Sequence, residues 1–200
     1  MAEGLLVVVS GPSGCGKGTI CKELLKRNKD MSISISATTR KPRKGEVDGE
    51  NYFFLTEEIF KSMINKNEFL EYAHVHGNFY GTPKKFVLEK IENGENVFLE
   101  IDVQGALQIK EIYPDGVFIF ILPPSMEELK NRIIKRGTES EDDIKRRYKN
   151  AFEEVKYIKK YDYLVINDKV IEAVEKIESI ISAEKCSVDR QSKLINKILS

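Results

Sequence analysis

The sequence predicts an α/β fold, a P-loop three-layer core with a parallel sheet into which a small mixed α+β lobe and a short lid are inserted. The apolar residues 5–9 run directly into a glycine-rich turn and an amphipathic segment, which is the order of a strand, a loop and a helix. Apolar runs at 97–101 and 117–122 are separated by helical segments, which is typical of parallel strands joined by right-handed crossovers. Residues 34–82 instead contain short strands, a basic loop and one helix, which indicates an inserted lobe.

The domain boundaries follow from these patterns. We expect residues 1–33 and 83–185 to form the core, with the lid at about 137–142. Residues 34–82 form the inserted lobe, and residues 186–200 form a C-terminal tail. A chain of 200 residues is long enough for one core with such a lobe.

Local patterns predict the elements of the first half of the chain. The helix after the glycine-rich turn spans about residues 17–28, with Ile20, Leu24 and Leu25 at helical spacing. The elements predicted after it are a strand at 32–36, a basic loop at 37–46, a strand at 52–55, a helix capped by Thr56 that runs to about 65, two short strands within 68–76 and a turn at 77–81.

The second half of the chain follows the same logic. Thr82 and Pro83 predict a helix start, and Gly94 predicts its end. Residues 117–122 form the most apolar segment, so we place them in the middle of the parallel sheet, covered on both faces. The elements predicted after them are a helix opened by a capping box of Ser125 and Glu128 that ends near 136–137, a polar segment at 138–140, a long helix to about 161, a strand at 163–166, a helix at about 169–185 and an amphipathic turn in the tail.

Composition excludes several classes of protein. Hydrophobic residues make up 41% of the chain and charged residues 32%, which is typical of a globular protein with a soluble surface. Basic and acidic residues number 32 each, so the chain has no overall charge to attract nucleic acid or an anionic membrane. No apolar run approaches the roughly 20 residues that a membrane span needs. The spacing of Cys15, Cys21 and Cys186 fits neither a metal site nor a disulfide framework, which favours a reducing, cytoplasmic location.

Residues 11–19, GPSGCGKGT, have the pattern of a phosphate-binding loop. In such a loop the glycines turn backbone N–H groups towards phosphate oxygens, the next helix adds the positive end of its dipole, and Lys17 reaches the terminal phosphates. The pattern expects a hydroxyl directly after the lysine, but Gly18 stands there and Thr19 follows. We therefore expect no direct protein ligand to Mg²⁺, which phosphates and water would hold near Thr19 and Asp102. The alternative, an ordinary tight turn, does not explain a lysine at this offset from three glycines.

Three further side chains extend the site. Asp102 and Asn167, like the phosphate loop, follow predicted strands, and ligands of parallel sheets bind at these carboxyl ends. Glu71 lies between apolar pairs in a predicted strand. Its carboxylate can accept two hydrogen bonds from guanine, whereas the N1 lone pair of adenine would repel it, a discrimination on the order of 10⁴. The alternative for Glu71 is an ordinary surface residue.

Arg40 and Arg43 flank a proline that stiffens their loop, so that two guanidinium groups can face one anion. We interpret this loop as a second phosphate site, to which Tyr52 and Tyr80 donate hydroxyl groups. The alternative is a solvated basic loop.

These residues lie in an order that resembles the guanylate kinase family, from about residue 5 to residue 180. The T-T-R-x-P-R-x-G-E stretch at 38–46 is far more specific than the phosphate loop. The resemblance is carried by segments 11–17, 36–46, 48–49, Tyr52, 67–72, 77–82, 102–105, 123–125, 136–139 and 167–168.

The resemblance implies two nucleotide sites. The GMP site would consist of Ser36, Arg40, Arg43, Glu46, Tyr52, Glu71, Tyr80, Thr82 and Asp102. The ATP site would consist of Gly11, Ser13, Gly14, Cys15, Gly16, Lys17, Gly18 and Thr19, with Arg136, Arg147 and Asn167 closing over the donor. Gly18 stands where a serine is commonest in the family, and Thr82 keeps the hydroxyl of a frequent serine.

The activity implied by the resemblance is transfer of the γ-phosphate of ATP to GMP, and to dGMP, with Mg²⁺ as cofactor, in purine nucleotide metabolism. Lys17, Arg40, Arg136 and Arg147 would surround the moving phosphoryl group, and closure of the lobe and lid would exclude water. We expect a monomer or a weak dimer. The alternatives are a non-catalytic module that binds phosphopeptides, a kinase for another nucleoside monophosphate and, for Arg136 and Arg147, ion pairing on a helix surface.

Overall fold

The structure, a computed structural model, describes residues 4–43, 45–75, 77–135 and 141–200. Its strands, in chain order, are β1 (Leu6–Ser10), β2 (Met31–Ile33), β3 (Ala37–Thr38), β4 (Phe53–Phe54), β5 (Phe69–Val75), β6 (Asn78–Pro83), β7 (Asn96–Glu100), β8 (Val117–Leu122) and β9 (Tyr163–Ile166). Its α-helices are α1 (Lys17–Arg27), α2 (Glu57–Asn65), α3 (Lys84–Glu92), α4 (Val103–Ile112), α5 (Met126–Lys135), α6 (Glu141–Val155), α7 (Val170–Lys185) and α8 (Ser192–Leu199). None of the helices in these described ranges is both long and apolar enough to cross a membrane.

Five parallel strands form the central sheet, in the order β2-β7-β1-β8-β9. Side chains of β1 alternate between its two faces. Val7 and Val9 pack in a core with α1, α5 and α7, whereas Leu6 and Val8 pack in a second core with α3 and α4. These three layers confirm the predicted fold class. The apolar strand β8 is an inner strand with a partner on each side, but β1 and not β8 occupies the middle of the sheet, one strand away from the predicted position.

A second sheet of four strands, in the order β4-β3-β6-β5, is formed by residues between β2 and α3. It is mixed, because β3 and β4 are parallel and β6 is antiparallel to both β3 and β5. The helix α2 covers it, and the ring of Phe60 stacks on that of Phe69 with centroids 4.4 Å apart. The small mixed lobe therefore has its own core.

Three predictions for the segment 68–83 are wrong. Residues 69–75 form one long strand, β5, and most of the predicted turn at 77–81 is strand β6, because the hairpin turns earlier, at Gly77 with a φ of +77°. Thr82 does not cap a helix. It pairs across the hairpin with Glu71, and α3 begins after Pro83, which makes no side-chain cap hydrogen bond.

Other boundaries differ from prediction by a few residues. Strand β2 ends at Ile33, because the chain then leaves the central sheet and pairs in the second one from Ala37. The long helix α6 ends at Val155, before a short 3₁₀ turn at Ile158–Lys160. The amphipathic turn predicted in the tail is a two-turn helix, α8. Most of the predicted lid, residues 137–140, lies outside the described residues.

Candidate active site

The phosphate loop joins β1 to α1 and contains two glycines that no other residue could replace without rearrangement. Gly11 has a φ of +147°, and a Cβ atom on it would lie 2.2 Å from the carbonyl oxygen of Ile121. Gly16 precedes α1 with a φ of +96°, and a Cβ atom there would lie 2.3 Å from Asn167 Nδ2. The loop therefore depends on glycine for both its backbone conformation and its close contact with neighbouring strands.

Lys17 begins α1, and its side chain folds back over the loop. Its ammonium group donates hydrogen bonds to the carbonyl of Gly11 and, at 3.3 Å, to that of Pro12. A positive charge thus lies at the positive end of the α1 dipole, where an anion is favoured. Gly14 and Ser13 line the same loop, half-buried, and Thr19 is exposed in the first turn of the helix.

Asn167 closes one side of the loop from the end of β9. It is 2% exposed, and its Nδ2 donates a 2.8 Å hydrogen bond to the carbonyl of Cys15. Its own backbone carbonyl accepts a 3.1 Å hydrogen bond from Arg132 Nη1. The Cys15 side chain is fully buried, and burial raises the pKa of its thiol.

Three side chains that lie beside the phosphate loop were not predicted from the sequence. They are Arg132, Glu100 and Glu154, and the last two are acidic. Arg132 lies on α5, where its Nε also pairs with Glu128. Glu100 ends β7, and a Cβ atom on Gly18 would lie 3.5 Å from its Oε1. Their spacing from the loop along the chain offered no signal, because packing of α5 and β7 brings them there.

Glu154, on α6, is the third of these side chains. Its Oε2 is buried and accepts no hydrogen bond from the residues described. Burial raises the pKa of its carboxyl, while the positive charge of Lys17 and the backbone N–H of Ser13 lower it. An acidic group therefore borders the phosphate loop on the side of α6.

A second polar cluster lies where the hairpin of the small lobe meets α4. Thr82 Oγ1 donates a 2.6 Å hydrogen bond to Oε1 of Glu71, which is only 8% exposed. Asp102 caps α4, since its Oδ1 accepts a 2.8 Å hydrogen bond from the backbone N–H of Gly105. Burial raises the pKa of Glu71 to about 7, and the charge of Asp102 also raises it, against the hydrogen bond from Thr82. The predicted residues Glu71, Thr82 and Asp102 thus form one cluster.

The basic loop of the lobe is organised around Arg40 and Glu46. The Arg40 guanidinium donates to both carboxylate oxygens of Glu46, at 3.0 and 2.8 Å, and it lies 5.4 Å from the ring centroid of Tyr52. The rings of Tyr52 and Tyr80 meet edge to face with centroids 6.2 Å apart. Hydrogen bonds from Arg40 and from the Arg43 backbone lower the pKa of Glu46. Four of the predicted residues, Arg40, Glu46, Tyr52 and Tyr80, are therefore brought together.

The remaining residues predicted for the site are Arg43, Ser36, Arg147 and Arg136. Arg43 is exposed and contributes its backbone N–H to Glu46 at 2.7 Å, and the carbonyl of Ser36 accepts from the N–H of Phe53. Arg147 is half-buried on α6. Arg136 lies outside the described residues.

Burial is the main cause of the raised pKa of Tyr52, Glu71 and Glu154, and charges on neighbouring elements add to it. The charges of Tyr80, Glu46 and Glu100 raise the pKa of Tyr52 further, while the positive charge of Arg40 lowers it. The charge of Asp102 raises the pKa of Glu71 in the lobe and that of Glu154 on α6. Across the described part of the chain, no group of three or more His, Cys, Asp or Glu side chains is arranged to hold a metal ion.

Comparison with known proteins shows which family the chain is similar to. The sequence model described as guanylate kinase matches residues 3–184. The chain is 64% identical over 196 residues to the guanylate kinase of Caldanaerobacter subterraneus subsp. tengcongensis, covering 98% of this chain and 95% of that protein. It is 63% identical over 190 residues to the guanylate kinase of Clostridium tetani, covering 95% of this chain and 91% of that protein.

A solved structure shows the same fold. The crystal structure of guanylate kinase from Anaplasma phagocytophilum has a TM-score of 0.76 and 34% identity, covering 95% of this chain and 90% of that one. A family match over most of the chain, close relatives of nearly the same length and a shared fold lead to one conclusion. The chain belongs to the guanylate kinase family.

Proposed function

We propose that this chain transfers the γ-phosphoryl group of ATP to GMP, giving ADP and GDP. The observation that carries the proposal is the pairing of a phosphate loop with a second polar cluster, around Glu71, in a chain of the guanylate kinase family. A nucleoside monophosphate kinase requires one site for a triphosphate and another for a base. The phosphate loop follows β1, and Asp102 of the second cluster follows β7, the neighbour of β1 in the central sheet.

The triphosphate of ATP would bind in the phosphate loop. Lys17 and the backbone N–H groups of the loop supply positive charge, and the bond from Asn167 to Cys15 holds the loop in shape. Arg147 on α6 and Arg136 would bind the phosphates as well. The residues proposed for this site are Gly11, Ser13, Gly14, Cys15, Gly16, Lys17, Gly18, Thr19, Arg136, Arg147 and Asn167.

The guanine base would bind at the carboxylate of Glu71. Guanine presents an N1–H and an amino group side by side, which two carboxylate oxygens can accept, whereas adenine presents a lone pair at N1. Thr82 orients one oxygen of Glu71 at 2.6 Å, and Asp102 lies close by to contact the same substrate.

The phosphate of GMP would bind among Ser36, Arg40, Arg43, Glu46, Tyr52 and Tyr80. We propose that Glu46 holds Arg40 in place through its two hydrogen bonds, so that the guanidinium is oriented before the substrate arrives. Tyr52 and Tyr80 then offer hydroxyl groups to the remaining oxygens.

Phosphoryl transfer needs positioning and neutralisation of charge more than proton transfer, and the phosphate of GMP is already ionised. Lys17, Arg40, Arg136 and Arg147 would surround the moving group. Glu100 and Asp102 offer the oxygen atoms that Mg²⁺ prefers, through water, and Thr19 lies in the same turn as Gly18. When bound with ATP, Mg²⁺ would neutralise charge on the phosphates.

Movement of the lobe completes the proposal. We infer that residues 34–82 act as a GMP-binding lobe on the core formed by 1–33 and 83–185, and that the lid at about 137–142 closes with it. Closure would exclude water and prevent hydrolysis of ATP. The activity would serve purine nucleotide metabolism in the cytoplasm, in a monomer or a weak dimer.

A coupled assay of ADP formation tests the proposal. With ATP and Mg²⁺, we expect rapid turnover of GMP, slower turnover of dGMP and little turnover of AMP or UMP, and we expect EDTA to abolish the activity. ADP formation with AMP or UMP in preference to GMP would contradict the assigned substrate. Absence of ADP formation with every acceptor would favour a non-catalytic module.

A further inference from the structure

Gly105 lies in the first turn of α4, between the carboxylates of Glu71 and Asp102. Its backbone N–H donates to Asp102 Oδ1 at 2.8 Å. A Cβ atom on Gly105 would lie 3.0 Å from Glu71 Oε2 and 3.3 Å from Glu71 Cδ, which is tighter than ordinary van der Waals contact. The missing side chain at this position is therefore what allows the Glu71 carboxylate to rest against the helix.

Glu71 has little freedom to avoid a methyl group there. Its other oxygen is bonded to Thr82 Oγ1 at 2.6 Å, and Thr82 is its partner across the hairpin. The side chain is 8% exposed, so it cannot rotate into solvent without losing this packing. An added Cβ atom would instead displace the carboxylate or push α4 away from β5.

The backbone of Gly105 does not explain the glycine. The residue lies within a helix and is not among the glycines of positive φ. Alanine is a better helix former than glycine, so local structure alone would favour alanine here. The glycine is explained by its neighbour, the carboxylate of Glu71.

We infer that Gly105 is a positioning residue for guanine recognition, because it leaves the space in which the Glu71 carboxylate is held for the base of GMP. The inference rests on the proposed function. Guanine presents two adjacent N–H donors, so both oxygens of the Glu71 carboxylate must be held in position to accept them. Small displacements of such a group are expensive, since a shift of about 1 Å can reduce activity on the order of 100-fold.

Steady-state kinetics of Gly105→Ala test the inference. We expect KM for GMP to rise on the order of 10-fold to 100-fold, with KM for ATP unchanged. A merely structural role would instead change KM for both substrates. Glu111→Ala, in the last turn of the same helix, is the matched control and should leave both KM values unchanged.

A double-mutant cycle shows whether Gly105 acts through Glu71. In the background of Glu71→Gln, Gly105→Ala should change KM for GMP by less than about twofold, because the carboxylate it positions is already gone. Equal effects in both backgrounds would overturn the inference, as would an unchanged KM for GMP in the single variant.

Failure to fold is also informative. If Gly105→Ala does not fold, Gly105→Ala combined with Glu71→Ala must fold, since the crowded contact is then removed. A double variant that also fails to fold would overturn the inference. If the wild type turns over GMP and Gly105→Ala has the same KM for GMP as the wild type, this inference alone is wrong. A wild type inactive on GMP would remove the proposed function and this inference together.

Discussion

The side chain of Asn167 is tied to the backbone of Cys15 by a buried 2.8 Å hydrogen bond between its Nδ2 and the Cys15 carbonyl, although 152 residues separate them. The bond joins the end of β9 to the phosphate loop after β1. Gly16 lies directly against the same amide group. The loop is thus held from outside as well as by its own glycines.

Replacing Asn167 by alanine should weaken the loop. The variant Asn167→Ala leaves the buried Cys15 carbonyl without its donor, which costs about 1–3 kcal/mol of unfolding free energy. We expect KM for ATP to rise several-fold, while KM for GMP stays near the wild-type value. Urea denaturation and initial rates measure both effects. Asn51→Ala, whose side chain accepts from the Val47 N–H on the surface of the lobe, serves as the control. A wild-type KM for ATP in Asn167→Ala would show that the bond has no part in donor binding.

Glu71→Gln should separate the two substrates. The glutamine amide places N–H donors opposite those of guanine and leaves polar groups unpaired, so kcat/KM for GMP should fall by a factor on the order of 10³. KM for ATP should not change, because Glu71 lies in the second cluster. Glu68→Gln makes the same chemical change at an exposed position three residues earlier and should have no effect. Equal losses in the two variants would refute the role of Glu71.

Stability should depend on pH through Glu71. Burial raises the pKa of this carboxyl in the folded protein from its ordinary value of 4.5 to about 7. The folded protein then holds the proton more tightly than the unfolded chain. This contribution to stability is complete below pH 4.5 and is lost as pH rises to about 7.

Within that pH window, the contribution of Glu71 lowers the unfolding free energy by up to about 1.4 kcal/mol per pH unit. Denaturation between pH 4.5 and 8 should show this slope in the wild type, less steep in Glu71→Gln. Guanine binding needs the ionised carboxylate, so KM for GMP should fall as pH rises through about 7. Identical pH profiles of stability in the wild type and Glu71→Gln would contradict the raised pKa of the Glu71 carboxyl.

Glu154→Gln should strengthen binding of ATP. The carboxylate lies beside Ser13 and Lys17, where its negative charge opposes an incoming triphosphate. Removing that charge should lower KM for ATP by roughly threefold to tenfold. The neighbouring residue gives a control, Glu153→Gln, because Glu153 pairs with Lys156 on the exposed surface. A rise in KM for ATP in Glu154→Gln alone would mean that the carboxylate supports the loop instead.

Much of the fold was predictable because it follows from local patterns in the sequence. The apolar runs that became β7 and β8 are continuous, which is typical of parallel strands buried on both faces, and the apolar residues that became α7 have helical spacing. The phosphate loop was predictable for a similar reason, since its glycines and Lys17 are contiguous.

The hairpin was not predictable in this way. Thr82 and Pro83 have the pattern of a helix start, yet the hydroxyl of Thr82 bonds to Glu71, a partner 11 residues away. The buried hydrogen bond to Glu71 across the hairpin is favoured over a local helix cap, so Thr82 lies in a strand.

The sequence by itself determined the α/β class, the phosphate loop and the types of side chain available for two nucleotide sites, because each depends on residues close together in the chain. Only the tertiary structure decided which of those side chains meet. It placed Glu100, Arg132 and Glu154 around the loop and set Gly105 against Glu71. These contacts join elements that are distant in the chain, and they arise when the elements pack, which no local pattern records.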